Sequence, residues 1–401
     1  MRGQLAPNPR PASSQLPLNS LLGATDIRIV FAYGKTSAYR KTPEANTMRV
    51  LITDDSAFMR KALAALLSSD KSIQVVDTAH NGEDALKKIA LHKPDVVTLD
   101  LEMPVMDGLT CLSKIRLLPE PRPAVLVCST LTVAGSQHAL KALRLGATDV
   151  ICKEPDQIGA GNEKTKKDII ARIKAIAPSS KAASLKPASP TAKPIVREWH
   201  HAGNTFDIIV IGSSTGGPPV LESILTPIPV DLAAPIVVAQ HMPALFTKSM
   251  SQRLNEVCKI RVQHAENDCL LEPGVAYITQ GGKHSRVHKM AGNKFRLEIS
   301  PKPETALYKP SINELYASAA CARERVLAIQ LTGMGDDGAV GGKQLFSAGG
   351  TLLAQLGETC AVYGMPKAIV EGGMAAAALT PKELADALIS ICPSALASKA
   401  A

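Results

Sequence analysis

The chain has 401 residues, more than one hydrophobic core usually holds, so two domains with linkers are expected. Aromatic residues make up only 3%, which leaves Ala, Val, Leu and Ile to build the cores and suits parallel α/β sheets. The formal net charge of +9 points to nucleic acid only until it is located: seven of the nine charges fall in residues 1–47 and 178–204, both unfolded in pattern, so a solvated basic linker is expected and a nucleic-acid surface is not.

Apolar runs are broken by Pro, Gly or charge within about ten residues, too short for a membrane span. The opening residues MRGQLAPNPRPASSQLP lack the apolar stretch of a signal peptide. The eight cysteines are scattered without a C-x-x-C, which suits a reducing cytoplasm and argues against a zinc site.

Residues 1–47, rich in Pro, Ser, Asn and Arg, have no sustained period and are expected to be disordered. From Met48 the pattern alternates. Strand-like runs stand at 49–53, 73–77, 95–99, 124–128 and 148–152, with helical periodicity between them and a closing helix at 164–177. Residues 48–177 therefore predict a parallel, doubly wound sheet of flavodoxin-like type. Residues 178–204, PSSKAASLKPASPTAKP onward, predict a flexible linker. Residues 205–395 resume the alternation with strands at 206–211, 235–240, 276–279, 295–299, 326–331 and 351–355. Here a larger doubly wound parallel α/β domain is expected, with a β-hairpin insert around 276–300, followed by a short tail at 396–401.

In the first domain Asp54 and Asp55 end strand one, Asp100 strand three, Ser129 strand four and Lys153 strand five. A parallel doubly wound sheet opens all these ends onto one edge. Three carboxylates crowded there repel each other unless a divalent cation joins them, and hard oxygen donors suit Mg²⁺. These residues resemble the receiver domain of two-component response regulators. The resemblance implies Asp100 as phosphoacceptor, Asp54, Asp55 and the backbone carbonyl of Glu102 as Mg²⁺ ligands, and Ser129 and Lys153 as switch residues.

In the second domain IIVIGSSTGG runs an apolar strand into a turn that spells G-x-S-x-G at Gly212, Ser214 and Gly216. Such a turn can expose a nucleophilic serine or cradle a phosphate. The G-x-G-x-x-G spacing and a Walker lysine are both missing, which favours the nucleophile. A base and an acid are then needed. Asp268 with His284 or His288 would follow the α/β-hydrolase order, but those histidines fall on the hairpin. His241, after PIVVAQ, and the aspartate pair of LTGMGDDG share the strand-end edge with Ser214, and geometry prefers them.

VIGSSTGGPPVL, VVAQHMPALFTKSMSQRLN, LEPGVAYITQGGKH, LTGMGDDGAVGG and AQLGETCAVYGMPKAI together resemble the chemotaxis protein-glutamate methylesterase (CheB) domain. The resemblance implies Ser214, His241 and Asp337, rather than Asp336, as the catalytic triad, and the Met334 amide as oxyanion donor. It also implies a cytoplasmic, phosphorylation-controlled esterase and glutaminase without a cofactor of its own, no membrane insertion, chemoreceptors as substrate and a histidine kinase as phosphodonor. Two departures stand out. Ser213 replaces the usual Ala, and Tyr308-Lys309-Pro310-Ser311-Ile312-Asn313 stands where His-Arg-Pro-Ser-Val-Asp is usual, so Tyr308, Lys309 and Asn313 are expected near the substrate groove.

Because Met48 immediately precedes the first strand, the native protein is expected to begin there. Mass spectrometry of protein from its own cells tests this; tryptic peptides from residues 11–40 would sink it.

Overall fold

The computed structural model describes residues 47–153, 163–178, 206–304 and 306–393. The expected extension at 1–47, the linker at 178–204 and the tail at 396–401 lie almost wholly outside the described residues.

The first sheet comprises β1 (Met48–Thr53), β2 (Ile73–Ala79), β3 (Val96–Asp100), β4 (Ala124–Ser129) and β5 (Asp149–Cys152). All pair in parallel, in the order β2-β1-β3-β4-β5. Helices α1 (Ala57–Ser68), α2 (Gly82–His92), α3 (Gly108–Arg116), α4 (Val133–Arg144) and α5 (Glu163–Ile176) cross between and after them. Ser56, Asn81, Asp107 and Thr132 start the first four helices by accepting a backbone N–H from the first turn. β3 is buried along its whole length, as a strand covered on both faces must be.

The second sheet has seven parallel strands in the order β15-β14-β13-β6-β7-β10-β8. These are β6 (Ile208–Ser213), β7 (Ile236–Gln240), β8 (Arg261–His264), β10 (Val275–Ile278), β13 (Val326–Gln330), β14 (Thr351–Gln355) and β15 (Ala375–Leu379). The three-stranded antiparallel insert is β9 (Cys269–Leu271), β11 (His284–Lys289) and β12 (Phe295–Ser300). The helices are α6 (Gly217–Leu225), α7 (Ala244–Val257), α8 (Ile312–Ala319), α9 (Ala339–Ser347), α10 (Met365–Glu371) and α11 (Pro381–Ser390). The chain moves outward from β6 through β7, then returns to lay β13 on its other side. The switch point therefore falls around β6, and Ser214 follows β6 directly.

Two expectations need correction. Residues 276–279 are not part of the hairpin, because β10 pairs in parallel with β7 and β8. Period alone could not separate this short buried run from an insert arm. Strands β8, β9, β11 and β15 were also not anticipated individually: β8 and β11 mix charged with apolar residues, β9 is only the three residues CLL, and AAAAL has little β propensity. None of the eight cysteines is in a disulfide.

Near the switch point the buried Tyr316 of α8 donates its O–H to the Ile329 carbonyl at 2.8 Å and accepts the Gly212 N–H at 3.1 Å. Tyr316→Phe is expected to remove both of these buried hydrogen bonds at a cost of about 1–3 kcal/mol. A thermal melt lowered by several degrees is the expected readout, and an unchanged melt would show that the hydroxyl contributes nothing.

Candidate active site and receiver site

Gly216 has φ +75°, and a Cβ there would lie 2.3 Å from Ala361 Cβ, so glycine turns β6 into α6. This turn lifts Ser214 onto the strand-end edge. The turn is stitched to the loop after β13: Ser214 N–H donates to the Thr332 carbonyl at 3.0 Å, and Thr332 Oγ1 donates to the Thr215 carbonyl at 3.0 Å. A Cβ on Gly333 would fall 2.7 Å from Ser214 Cβ and 2.3 Å from Met365 Sδ. Glycine is thus required for the loop carrying Met334 to press against the serine. The amides of Thr215 and Met334 make no hydrogen bond to a described residue.

Ser214, His241 and Asp337 are all buried and meet. His241 Nδ1 stands 3.2 Å from Ser214 Oγ, and His241 Nε2 2.9 Å from Asp337 Oδ2. A carboxylate accepts only, so Nε2 carries the proton and Nδ1 offers its lone pair to the serine hydroxyl. Asp337 lies at the start of α8, accepting from the Ile312 amide at 2.8 Å, the Asn313 amide at 2.9 Å and Ser311 Oγ at 3.2 Å. Burial pushes its carboxyl up, but the bond and charge of His241 and the two amides outweigh it, holding Asp337 below its usual range.

His284 does not join this group: it donates Nε2–H to the Pro303 carbonyl at 3.0 Å and accepts the Ser311 N–H at 3.2 Å. His288 pairs with Glu298, and Asp268 with Arg296. Ser213 is fully buried, its hydroxyl occupying the space over Gly217. Asn313, expected near the groove, is held by its side chain. Its Oδ1 accepts from the amides of Gly338 and Gly341 at 3.0 and 2.9 Å, which caps the start of α9, while its own backbone amide donates to Asp337. Tyr308 and Lys309 do line the cleft, and Tyr308 stacks on His241 with ring centroids 4.5 Å apart. That stack was not anticipated. The Ser311-x-x-Glu314 capping pattern, with Glu314 N–H donating to Ser311 Oγ, was a legible signal for the start of α8.

In the first domain, Asp54, Asp55 and Asp100 each bring a carboxylate oxygen within 4.8 Å of the others. Lys153 Nζ reaches Asp100 at 2.6 Å and Asp54 at 2.8 Å. Burial pushes the Asp100 carboxyl up, partly offset by Lys153. Burial works against the charge of Lys153, but its two carboxylate partners keep its ammonium above the ordinary lysine value. Ser129 is not turned to Asp100: its Oγ donates to the Gly135 carbonyl at 2.9 Å. Glu102 donates its N–H to Asp100 Oδ1 at 3.4 Å.

The two domains meet on the catalytic edge. α4 packs on α7, where Ser136 Oγ and Ser249 Oγ lie 2.6 Å apart, and Leu140 and Leu143 face Met250 and Leu254. Asp149 of β5 accepts from Thr215 Oγ1, next to Ser214, and from Arg172 of α5, each at 2.7 Å. A cleft of about 900 Å³ remains between α5 and His241.

Fold and site define a class: a receiver-type domain docked on a doubly wound hydrolase domain with a Ser-His-Asp constellation. Residues 50–159 match the response regulator receiver domain and residues 209–388 the CheB methylesterase family. A protein-glutamate methylesterase/protein-glutamine glutaminase 1 of Oleidesulfovibrio alaskensis is 45% identical over 367 residues, covering 86% of this chain and 99% of that protein. A protein-glutamate methylesterase/protein-glutamine glutaminase of Halalkalibacterium halodurans is 42% identical over 349 residues, covering 86% and 98%. The solved CheB methylesterase catalytic domain of Thermotoga maritima is 36% identical with a TM-score of 0.45, covering 47% of this chain and 99% of that one. The chain belongs to the protein-glutamate methylesterase/protein-glutamine glutaminase (CheB) family.

His241 donates its Nε2–H to Asp337 and not to Asp336. Asp337→Asn is therefore expected to cut esterase turnover by about 10⁴ or somewhat less, Ser214→Ala by on the order of 10⁴–10⁶, and Asp336→Asn mildly. Steady-state rates check this, and a more damaging Asp336→Asn would overturn the assignment.

Proposed function

We propose that the chain is a phosphorylation-controlled serine esterase, cytoplasmic, that hydrolyses glutamyl methyl esters of chemoreceptors and deamidates receptor glutamines. The observation that carries this reading is the buried Ser214–His241–Asp337 alignment beneath a docked receiver domain. Ser214 Oγ attacks the ester carbonyl carbon while its proton passes to His241 Nδ1. Asp337 fixes the tautomer and faces the imidazolium that forms. The amides of Met334 and Thr215 are the donors available to the oxyanion. His241 returns the proton to the departing methoxide, methanol leaves, and water then attacks the acyl-serine with His241 again as base. With glutamine the leaving group is ammonia.

Control is assigned to Asp100 as phosphoacceptor, supplied by a histidine kinase. The oxygen cluster of Asp54, Asp55 and Asp100 fits Mg²⁺, with the Glu102 carbonyl as a further ligand, and the ion when bound neutralises charge around the phosphoryl group. Lys153 already spans Asp54 and Asp100 and is placed to pair with added phosphate oxygens. For Ser129 to do the same, its hydroxyl must leave the Gly135 carbonyl, which moves the turn at the start of α4. α4 is also the helix packed on α7, so that movement loosens the cover over the site.

Methanol release from methylated receptor membranes, with and without a small phosphodonor and Mg²⁺, tests this. Phosphorylation is expected to raise the rate about ten- to a hundredfold, with Asp100→Asn indifferent to the donor. Absence of methanol would overturn the substrate assignment. Release equally fast without donor would overturn the control.

A further inference from the structure

Tyr308 lies flat on the His241 imidazole, with ring centroids 4.5 Å apart and planes inclined by 16°. Its segment has no regular secondary structure but is clamped from both sides. Gly282 N–H donates to the Lys309 carbonyl at 3.0 Å, Ser311 N–H donates to His284 Nδ1 at 3.2 Å, and Ser311 Oγ donates to Asp337. The Tyr308 hydroxyl makes no hydrogen bond to a described residue, so the ring face is what it offers to the histidine. Burial and the nearby charge of Asp168 push its phenol up, so it stays neutral through the range in which histidines titrate.

His241 becomes a cation when it takes the serine proton. It does so in a buried position, where water contributes little solvation. Asp337 stabilises that cation from the ring edge, and an aromatic face attracts a cation from above. Stacking also restricts rotation of the imidazole about its long axis, which keeps Nδ1 on Ser214 and Nε2 on Asp337. The charged groups facing the same cleft are Asp337, Lys309 on the Tyr308 segment, and Glu163, Lys164, Lys167, Asp168 and Arg172 of α5.

We infer that Tyr308 is a positioning residue for the hydrolysis, acting through His241: its ring face holds the imidazole plane and favours the imidazolium over the neutral ring. This rests on the serine-esterase reading. The family pattern puts a histidine here, which would itself titrate; tyrosine gives a stack of constant charge.

The experiment is the rate at which a fluorophosphonate labels Ser214 in the full chain as a function of pH. Ser214 Oγ forms the bond to phosphorus, fluoride leaves, and His241 takes the proton. Tyr308→Leu is expected to lower the plateau rate about tenfold and to move the acid limb about one unit lower, since a tenfold loss of preference for the cation is one unit. Tyr308→Phe should retain both features, and thermal melts establish that each variant is folded. Tyr308→Met serves if Leu does not fold. A Leu variant with the wild-type plateau and limb, a lowered plateau with an unmoved limb, or a Phe variant as impaired as Leu overturns the inference and leaves the esterase reading standing. No labelling of wild-type Ser214 overturns the esterase reading and this inference with it.

Discussion

A buried carboxylate cannot remain ionised without partners, and Asp337 collects four of them. The Ile312 and Asn313 amides at the start of α8, Ser311 Oγ and His241 Nε2 all converge on its two oxygens. Every one of these contacts also locates something else. The amides tie α8 to the loop after β13, and Tyr316 one turn further on ties α8 to β6 and β13. The bond to His241 dictates which nitrogen faces Ser214. That charge is the one point at which the helix, the loop and the imidazole all meet.

The receiver-type domain is built on a comparable constraint with the opposite sign. Lys153 is largely buried and holds its charge between Asp54 and Asp100. Three acids and one lysine at one sheet edge leave a site that gains from added cation and whose balance changes when a phosphoryl group is added. β4 and β5 end at this edge, and α4, which follows β4, and Asp149, at the start of β5, meet the catalytic domain. The distance from Asp100 to Thr215, the neighbour of Ser214, is therefore bridged by packed elements and not by loose chain.

Much of this was legible in linear order. The apolar runs ending in Asp54, Asp100, Ser129, Lys153, Ser214 and His241 were identifiable because a parallel strand buried on both faces is a continuous apolar run. What blurred the rest was equally physical. β10 is four residues long and could not be told from a hairpin arm. β15 is AAAAL, which carries little local preference. That the Asn313 amide oxygen satisfies the start of α9 has no local signal either.

By itself the sequence determined which residues stand at strand ends and therefore which side chains share an edge, because strand periodicity and turn chemistry are local properties. It also showed which groups are available there: a serine hydroxyl, a histidine, an aspartate pair and a separate acidic cluster. Only the tertiary structure decided that Nδ1 and not Nε2 faces Ser214, that Tyr308 covers the imidazole, and that Asp149 of one domain binds Thr215 of the other. Those are contacts between residues 27, 67 and 66 positions apart, set by how packed layers close on one another, and no local pattern encodes them.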